Sequence, residues 1–205
     1  MKKRDWMILV AEGIVWCLLF LFVAKTWNEE RMQREISEQI LRFHVLANSD
    51  SKEDQEEKMR VKHAVSEYLK PILEDAQSKE ETMDCIKQEL YNIEEIAQNM
   101  LGERVVTVSL ERDWFPAITY GDCTFPSGTY DTLRVQIGEA KGHNWWCVLY
   151  PGLCFSSAIK PVATEEDKNL LKHVLSEESY HFLFRREKTK IRFRLFGLEL
   201  FGENR

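Results

Sequence analysis

His143 and Cys147 are the residues of this chain whose types best suit nucleophilic chemistry, and they lie four positions apart. A catalytic thiol needs a base within hydrogen-bonding distance. Residues 144–150, which carry Cys147, are rich in aromatic and branched side chains and are predicted to form a strand. Because four residues of strand span about 13 Å, this pair should not form a catalytic site. A histidine elsewhere could still approach Cys147, so an exported cysteine hydrolase or thiol enzyme using Cys147 is the alternative function.

Metal, phosphate and cofactor sites have still weaker signatures. Glycine-rich phosphate-binding motifs are missing, and the glycines near residue 140 precede a strand and not a helix. The residue types that bind zinc occur without closely spaced pairs. We therefore predict no catalytic residues, no metal, no cofactor and no small-molecule substrate. The zinc-ligand types considered are Cys123, His143, Cys147 and Cys154.

Two ionisable residues flank a predicted turn between a strand and a helix. His44 lies within the alternating segment 40–47, and Asp50 belongs to the polar cluster that follows it. Short polar side chains in such clusters favour turns and helix caps. A structural histidine and a capping acid are therefore expected here, and not a catalytic pair.

The amino terminus has the pattern of an export signal. Residues 2–4 are basic and precede a mostly apolar run from Trp6 to Ala24. By the positive-inside tendency the amino end stays in the cytoplasm and the rest of the chain is exported. Glu12 shortens the uncharged run to less than a full membrane span, whereas the bulky Phe22 is unfavourable for cleavage after Ala24. Residues 1–24 are therefore a signal peptide or a signal anchor.

The remaining chain is predicted to form one exported domain, residues 40–205, behind a charged stalk, residues 25–39. With 205 residues it can bury one sizeable core. The net charge of −6 argues against a general nucleic-acid partner, which would need a basic surface.

Export makes disulfides possible for the cysteines beyond the leader. Four remain after Cys17, an even number, in a compartment where disulfides persist. Cys147 and Cys154 flank the Pro151-Gly152 turn, so a bridge between them is one candidate. Sequence does not choose among the three complete pairings, and buried free thiols remain the alternative.

The periodicities predict an α+β fold, a mainly antiparallel sheet of about five strands packed by two long helices plus a C-terminal helix, behind an N-terminal hydrophobic leader. Ser51 and Ser78 begin capping patterns that open the two long helices, and Thr164 opens the C-terminal one. Alternating apolar residues predict the strands, which are 40–47, 104–111, 115–120, 130–137, 144–150 and a last one beyond residue 186.

Two strands have side chains that suit a partner. In 144–150 both faces are apolar, so this is either a central strand or a strand that offers Trp145, Trp146 or Tyr150 to another protein. The last strand has a basic row, most simply a solvated face and alternatively a contact with anionic lipid or an acidic protein. That row is Lys188, Lys190, Arg192 and Arg194.

Two blocks of the sequence have a distinctive combination of residues. The first is residues 42–51, Arg-Phe-His-Val-Leu-Ala-Asn-Ser-Asp-Ser, followed by Asp54, Gln55 and Lys58. The second runs from Tyr120 to Phe155 and includes Pro126, Gly128, Tyr130, Leu-Arg-Val at 133–135, Ile-Gly-Glu at 137–139, Gly142, Asn-Trp-Trp-Cys-Val-Leu at 144–149, Pro151 and Leu-Cys-Phe at 153–155. Together these blocks resemble the stage II sporulation protein R family of endospore-forming bacteria. Two departures from the family pattern are Ala140, where the family usually has glycine, and Gly152, where it usually repeats proline.

The resemblance implies a signalling protein and not an enzyme. Members are made in the forespore and exported into the space between the forespore and mother cell membranes. There they trigger a membrane-embedded aspartic protease of the mother cell, which removes the pro-sequence of sigma factor E. The residues expected to contact the protease are Trp145, Trp146, Tyr150, Asn144, His143, His44, Asn48 and Asp50.

Overall fold

The computed structural model describes residues 3–155 and 164–185. Within these ranges the elements are α1 (Lys3–Gln39), β1 (Leu41–Leu46), α2 (Lys52–Leu73), α3 (Lys79–Asn99), β2 (Val106–Phe115), β3 (Ile118–Tyr120), β4 (Cys123–Phe125), β5 (Gly128–Ile137), β6 (Asn144–Tyr150), α4 (Glu165–Val174) and α5 (Glu177–Leu183). The predicted strand with the basic row from Lys188 to Arg194 lies outside the described residues.

The α+β prediction is confirmed. Strands β2, β5, β1 and β6 form a sheet in that order, while β3 and β4 form a separate hairpin. Two of the three strand pairings in the larger sheet are antiparallel, and β1 and β5 run parallel. Since the carboxyl ends of parallel strands meet at one edge of a sheet, the loops after β1 and β5 are neighbours.

The leader and the segment expected to be a stalk form one helix, α1. From Val10 to Gln39 it is long and apolar enough to cross a membrane, and its most apolar stretch is not buried. Further on, Met32 and Ile36 are buried in the domain core. Arg31 Nη2 lies 2.6 Å from Glu178 Oε2 at the start of α5. The last turns of α1 are therefore packed into the domain, and β1 begins two residues after α1 ends.

The helix caps lie where the serine patterns predict them. Ser51 accepts a hydrogen bond from Asp54 N at the start of α2, and Ser78 accepts one from Glu81 N at the start of α3. In α4 both bonds of a capping box between Thr164 and Asp167 are present. Such caps satisfy the amide groups that have no partner within a helix.

The sheet has a packed core on each face. Helices α2 and α3 cover the first face, with Val65, Leu69 and Ile93 against strand residues that include Phe43 and Val135. The second face is covered near the start of β1 by the end of α1, the β3–β4 hairpin, α4 and α5. Its buried members include Ile36, Phe115, Phe125, Tyr130, Val148 and Leu171.

The two inner strands of this sheet are β5 and β1, and β6 lies at an edge. Of the two alternatives considered for 144–150, the central strand is therefore wrong. Every residue of β1 is buried, including the polar Arg42 and His44. The apolar residues on both faces of β6 are compatible with a central strand, whereas the polar residues of β1 interrupt the apolar pattern that usually marks one.

Candidate functional site

Two loops meet at the sheet edge where β1 and β5 end. We call residues 47–50 and 138–143 together the loop platform. Gly142 N donates to Ala47 O at 2.9 Å. A Cβ on Gly142 would collide with the Ser49 carbonyl, so the closeness of the two loops requires glycine here.

Asn48 connects the loop platform to α2. Its side-chain oxygen accepts a hydrogen bond from Glu139 N at 2.9 Å, and its amide nitrogen donates to Asp54 Oδ2 at 2.8 Å. Gly138, with φ of 56°, passes so close that a Cβ there would meet the Asn48 side chain. Asn48 is thus held on both sides and fixes the distance between the two loops.

Three side chains donate hydrogen bonds to Asp54 at the base of the loop platform. Ser49 Oγ donates to Asp54 Oδ2 at 2.5 Å, Asn48 donates to the same oxygen, and Arg104 donates to Oδ1. These hydrogen bonds hold the pKa of Asp54 well below its usual range, and the bond from Ser49 has the largest effect. Asp54 is therefore ionised at neutral pH and has a structural role in orienting the loop.

Lys58 and Gln55 of α2 connect this helix to both loops of the platform. Lys58 Nζ donates to the carbonyl of His143 at 2.9 Å and to Gln55 Oε1 at 2.5 Å, and burial lowers the pKa of Lys58. Gln55 Nε2 donates to Ser49 O at 2.9 Å. The two sequence blocks that carry the family resemblance thus contact each other at the loop platform.

Asp50 and His143 form an exposed pair on top of the loop platform. Asp50 Oδ1 accepts hydrogen bonds from His143 N and from His143 Nδ1, both at 2.5 Å. These bonds lower the pKa of Asp50. The side chain of His143 is 82% exposed and that of Asp50 56% exposed, so this pair is open to a partner.

Arg42 is the largest fully buried side chain among the described residues. The rings of Phe115, Tyr120, Phe125 and Tyr130 surround its guanidinium, with centroids 4.7 to 5.7 Å from Cζ. Its Nη2 donates to Tyr120 Oη at 3.1 Å, and within the described part of the chain Nε and Nη1 have no hydrogen-bond partner. Burial lowers the pKa of Arg42, and cation–π attraction offsets part of that cost.

His44 lies next to Arg42 on the same face of the sheet and is also buried. Its Nδ1 is 2.9 Å from Asp113 Oδ2 on β2, and its ring centroid is 5.7 Å from that of Trp146. Burial lowers the pKa of His44 despite the nearby carboxylate. His44 is therefore enclosed in the domain, whereas His143 is exposed on the loop platform.

The other predicted contact residues of β6 are half-buried. Trp145 packs edge-on against Phe43 at 5.5 Å, and Lys62 Nζ lies 4.9 Å from the Trp145 ring centroid. Tyr150 Oη donates to Gln77 O at 2.8 Å. Asn144, at the start of β6, is half-buried as well. These side chains have structural partners within the domain.

The outer edge of β6 is covered by the domain itself. Tyr120 Oη donates to Trp146 O at 3.0 Å, and Cys154 N donates to Val148 O at 3.0 Å. The sulfurs of Cys147 and Cys154 meet across the turn, with Cα atoms 5.6 Å apart, within the range that a disulfide spans. The turn after β6 is thereby folded back over the strand.

The described residues offer little to nucleophilic or metal chemistry. Cys147 is positioned against Cys154, and burial raises the pKa of the Cys123 thiol to about 12. Residues 3–155 and 164–185 contain no group of three or more His, Cys, Asp or Glu side chains placed to hold a metal ion.

The structure brings three of the eight predicted contact residues together, on supports that were not among the predicted residues. Asn48, Asp50 and His143 meet in the loop platform. Lys58 was known only as part of a sequence block, and Arg104 had no assigned role. Asp54 and Lys58 lie four residues apart, a spacing that places both on one face of α2. The contact of Lys58 with the His143 carbonyl depends on the parallel pairing of β1 and β5, which short-range patterns do not reveal.

Comparison with known proteins gives a consistent family assignment. The family model for stage II sporulation protein R matches residues 37–160. Stage II sporulation protein R of Bacillus subtilis (strain 168) is 32% identical over 161 residues, which cover 76% of this chain and 72% of that protein. No solved structure matches the chain significantly. The matched region contains both loops of the platform, and the chain belongs to the stage II sporulation protein R family.

Proposed function

We propose that this chain is an exported sporulation signal that activates a membrane-embedded aspartic protease of the mother cell. The activated protease then removes the pro-sequence of the sigma factor E precursor. Membership of the stage II sporulation protein R family supports a role in sporulation. We extend that role to activation of this protease and processing of the sigma factor E precursor.

The observation that carries the proposal is the attachment of the domain to α1. This helix has an apolar stretch suited to a membrane and then continues into the domain core, where Met32 and Ile36 are buried. Basic residues at positions 2–4 favour a cytoplasmic amino end. The domain would then lie in the space between the forespore and mother cell membranes, secreted or held by α1.

The site supports action by binding and not by catalysis. The thiol of Cys147 is positioned for a disulfide with Cys154, and Cys123 is buried and protonated. The exposed pair Asp50 and His143 lies on loops that are tightly hydrogen-bonded. A protein that activates by binding must bind the active arrangement of its partner more tightly than the inactive one.

The experiment is reconstitution in a bacterium that does not sporulate. The chain is exported while the protease and the sigma factor E precursor of the same organism are produced in the same cells. We expect the precursor to be shortened only when the chain is present, as measured by immunoblotting. Equal processing without the chain, or none with it, would contradict the proposal.

Two control variants separate export and thiol chemistry from activation. A chain that starts at residue 25, and so stays in the cytoplasm, should leave the precursor unprocessed. The double variant Cys147→Ser/Cys154→Ser should retain processing if it still folds, because neither thiol takes part in a reaction. Loss of processing by a folded double variant would instead support the thiol enzyme.

A further inference from the structure

We infer that the loop platform is the surface that contacts the membrane-held protein partner. This inference rests on the proposed function and names the docking surface within it. The partner surface would be polar and of mixed charge. The half-buried tryptophans of β6 would then support the fold and lie outside the contact.

The direction of the chain places the loop platform at the end of the domain that is far from the apolar stretch of α1. Gly128, at the start of β5, lies against Gln33 of α1, and Leu41 follows the end of that helix. Strands β1 and β5 then run in parallel away from this end. At 1.5 Å per helical residue and 3.3 Å per strand residue, the platform lies up to about 45 Å beyond Ala24. A partner in the opposing membrane would therefore meet this end of the domain first.

The loop platform is organised before any partner binds. Backbone bonds join Gly142 to Ala47 and Lys141 to Asn48 at 2.9 and 3.1 Å. Lys58 anchors the second loop from below. Loops that are already ordered lose little conformational entropy on binding, which favours affinity. The tight hydrogen bonding gives the exposed side chains fixed positions.

The exposed side chains of the loop platform are charged or polar and suit contact with a polar protein surface. The side chains of Lys141, Glu139 and His143 are 74%, 70% and 82% exposed, and that of the adjoining Lys52 is 92% exposed. None of the exposed large apolar side chains among the described residues belongs to positions 47–52 or 138–143. An apolar lipid-facing role is thus disfavoured, whereas charged pairs at the rim of a protein contact give specificity and association rate.

The test reverses charges on the loop platform and at matched positions elsewhere. The platform double, Lys52→Glu/Lys141→Glu, alters Lys141 of the platform and the adjoining Lys52 of α2. The control double, Lys70→Glu/Lys87→Glu, makes the same change of net charge at exposed positions of α2 and α3. Both doubles are made in the full chain, and processing of the precursor and capture of the detergent-solubilised protease are measured. We expect the platform double to lose at least about tenfold in affinity, while the control double behaves as wild type.

The outcomes separate this inference from the proposed function. If wild type fails to drive processing, the proposed function is wrong. If wild type works and the platform double works equally well, the docking surface is wrong while the function stands. Equal losses in both doubles would show a general charge effect and would also overturn the docking surface. Unchanged melting temperatures for both doubles ensure that each result reports on contact and not on folding.

Discussion

Ala140 has a backbone conformation that is unfavourable for a residue with a side chain. It adopts φ of 51°, and it is the one residue other than glycine with positive φ within the described ranges. A side chain in this left-handed region costs roughly 1–2 kcal/mol. The resemblance already marked this position as one where the family usually has glycine. The loop therefore has the conformation that glycine favours, without the glycine.

Ala140→Gly should stabilise the protein. Relief of the left-handed strain exceeds the extra entropy that glycine loses on folding, so we expect a gain of about 0.5–1 kcal/mol in the free energy of unfolding. Urea unfolding monitored by circular dichroism measures it. The control in the same loop is Gly142→Ala, which should destabilise by about 1–3 kcal/mol because its Cβ meets the Ser49 carbonyl. A loss of stability in Ala140→Gly would show that the loop is not held in this conformation.

Arg42 raises the question of why a charge is buried without a carboxylate. Within the described residues it has aromatic neighbours and one hydroxyl partner, Tyr120. We expect Arg42→Met to change the free energy of unfolding by less than about 1.5 kcal/mol, since it fills similar space and removes a desolvated charge. Arg42→Ala should cost about 3 kcal/mol through the cavity that it leaves. Chemical denaturation compares the two, and equal losses would mean that the cation–π contacts outweigh packing.

At the scale of elements, capping serine and threonine residues together with apolar periodicity were sufficient to place α2, α3 and α4. Local patterns suffice there because a helix satisfies its hydrogen bonds within one segment. The order of strands depends on long-range pairing, and so the inner position of β1 and the edge position of β6 could not be predicted. Arg42 and His44 interrupt the apolar pattern of β1, although the β3–β4 hairpin and α1 enclose its start.

The turn after β6 is an element that should depend on its cysteines. Cys147 and Cys154 are seven positions apart with their sulfurs facing each other, and Cys154 N donates to Val148 O at the outer edge of β6. For such a short loop, a disulfide should contribute about 2–3 kcal/mol by restricting the unfolded chain. We expect Cys147→Ser/Cys154→Ser to lower the free energy of unfolding by this amount.

Mass spectrometry after thiol alkylation tests the pairing itself. Under non-reducing conditions the unfolded wild type should leave Cys147 and Cys154 unmodified while Cys85 and Cys123 react. Reduction before alkylation should expose both to the reagent. Alkylation of Cys147 without reduction would show that the pairing does not form in the exported protein.

At the scale of the whole molecule, α1 combines an apolar stretch suited to a membrane with side chains that pack into the domain core. Ile36 and Ile40 have no exposed surface, and Met32 is almost as enclosed. Arg31 and Glu178 add an ion pair between α1 and α5, but half-exposed pairs of this kind contribute little. The apolar contacts are therefore the main link between the helix and the domain, and the side chains of residues 10–24 are exposed and add nothing to that core.

Two truncations should separate these roles of α1. A chain of residues 25–205 should keep the stability of the full chain, because it retains the buried side chains of α1. A chain of residues 41–205 should lose on the order of 5 kcal/mol, since three buried apolar side chains are removed. Because domains of this size are typically stable by about 5–15 kcal/mol, the shorter chain should be largely unfolded or partly open. Urea unfolding and amide hydrogen exchange measure both, and equal stability of the two truncations would show that residues 25–40 are a free stalk after all.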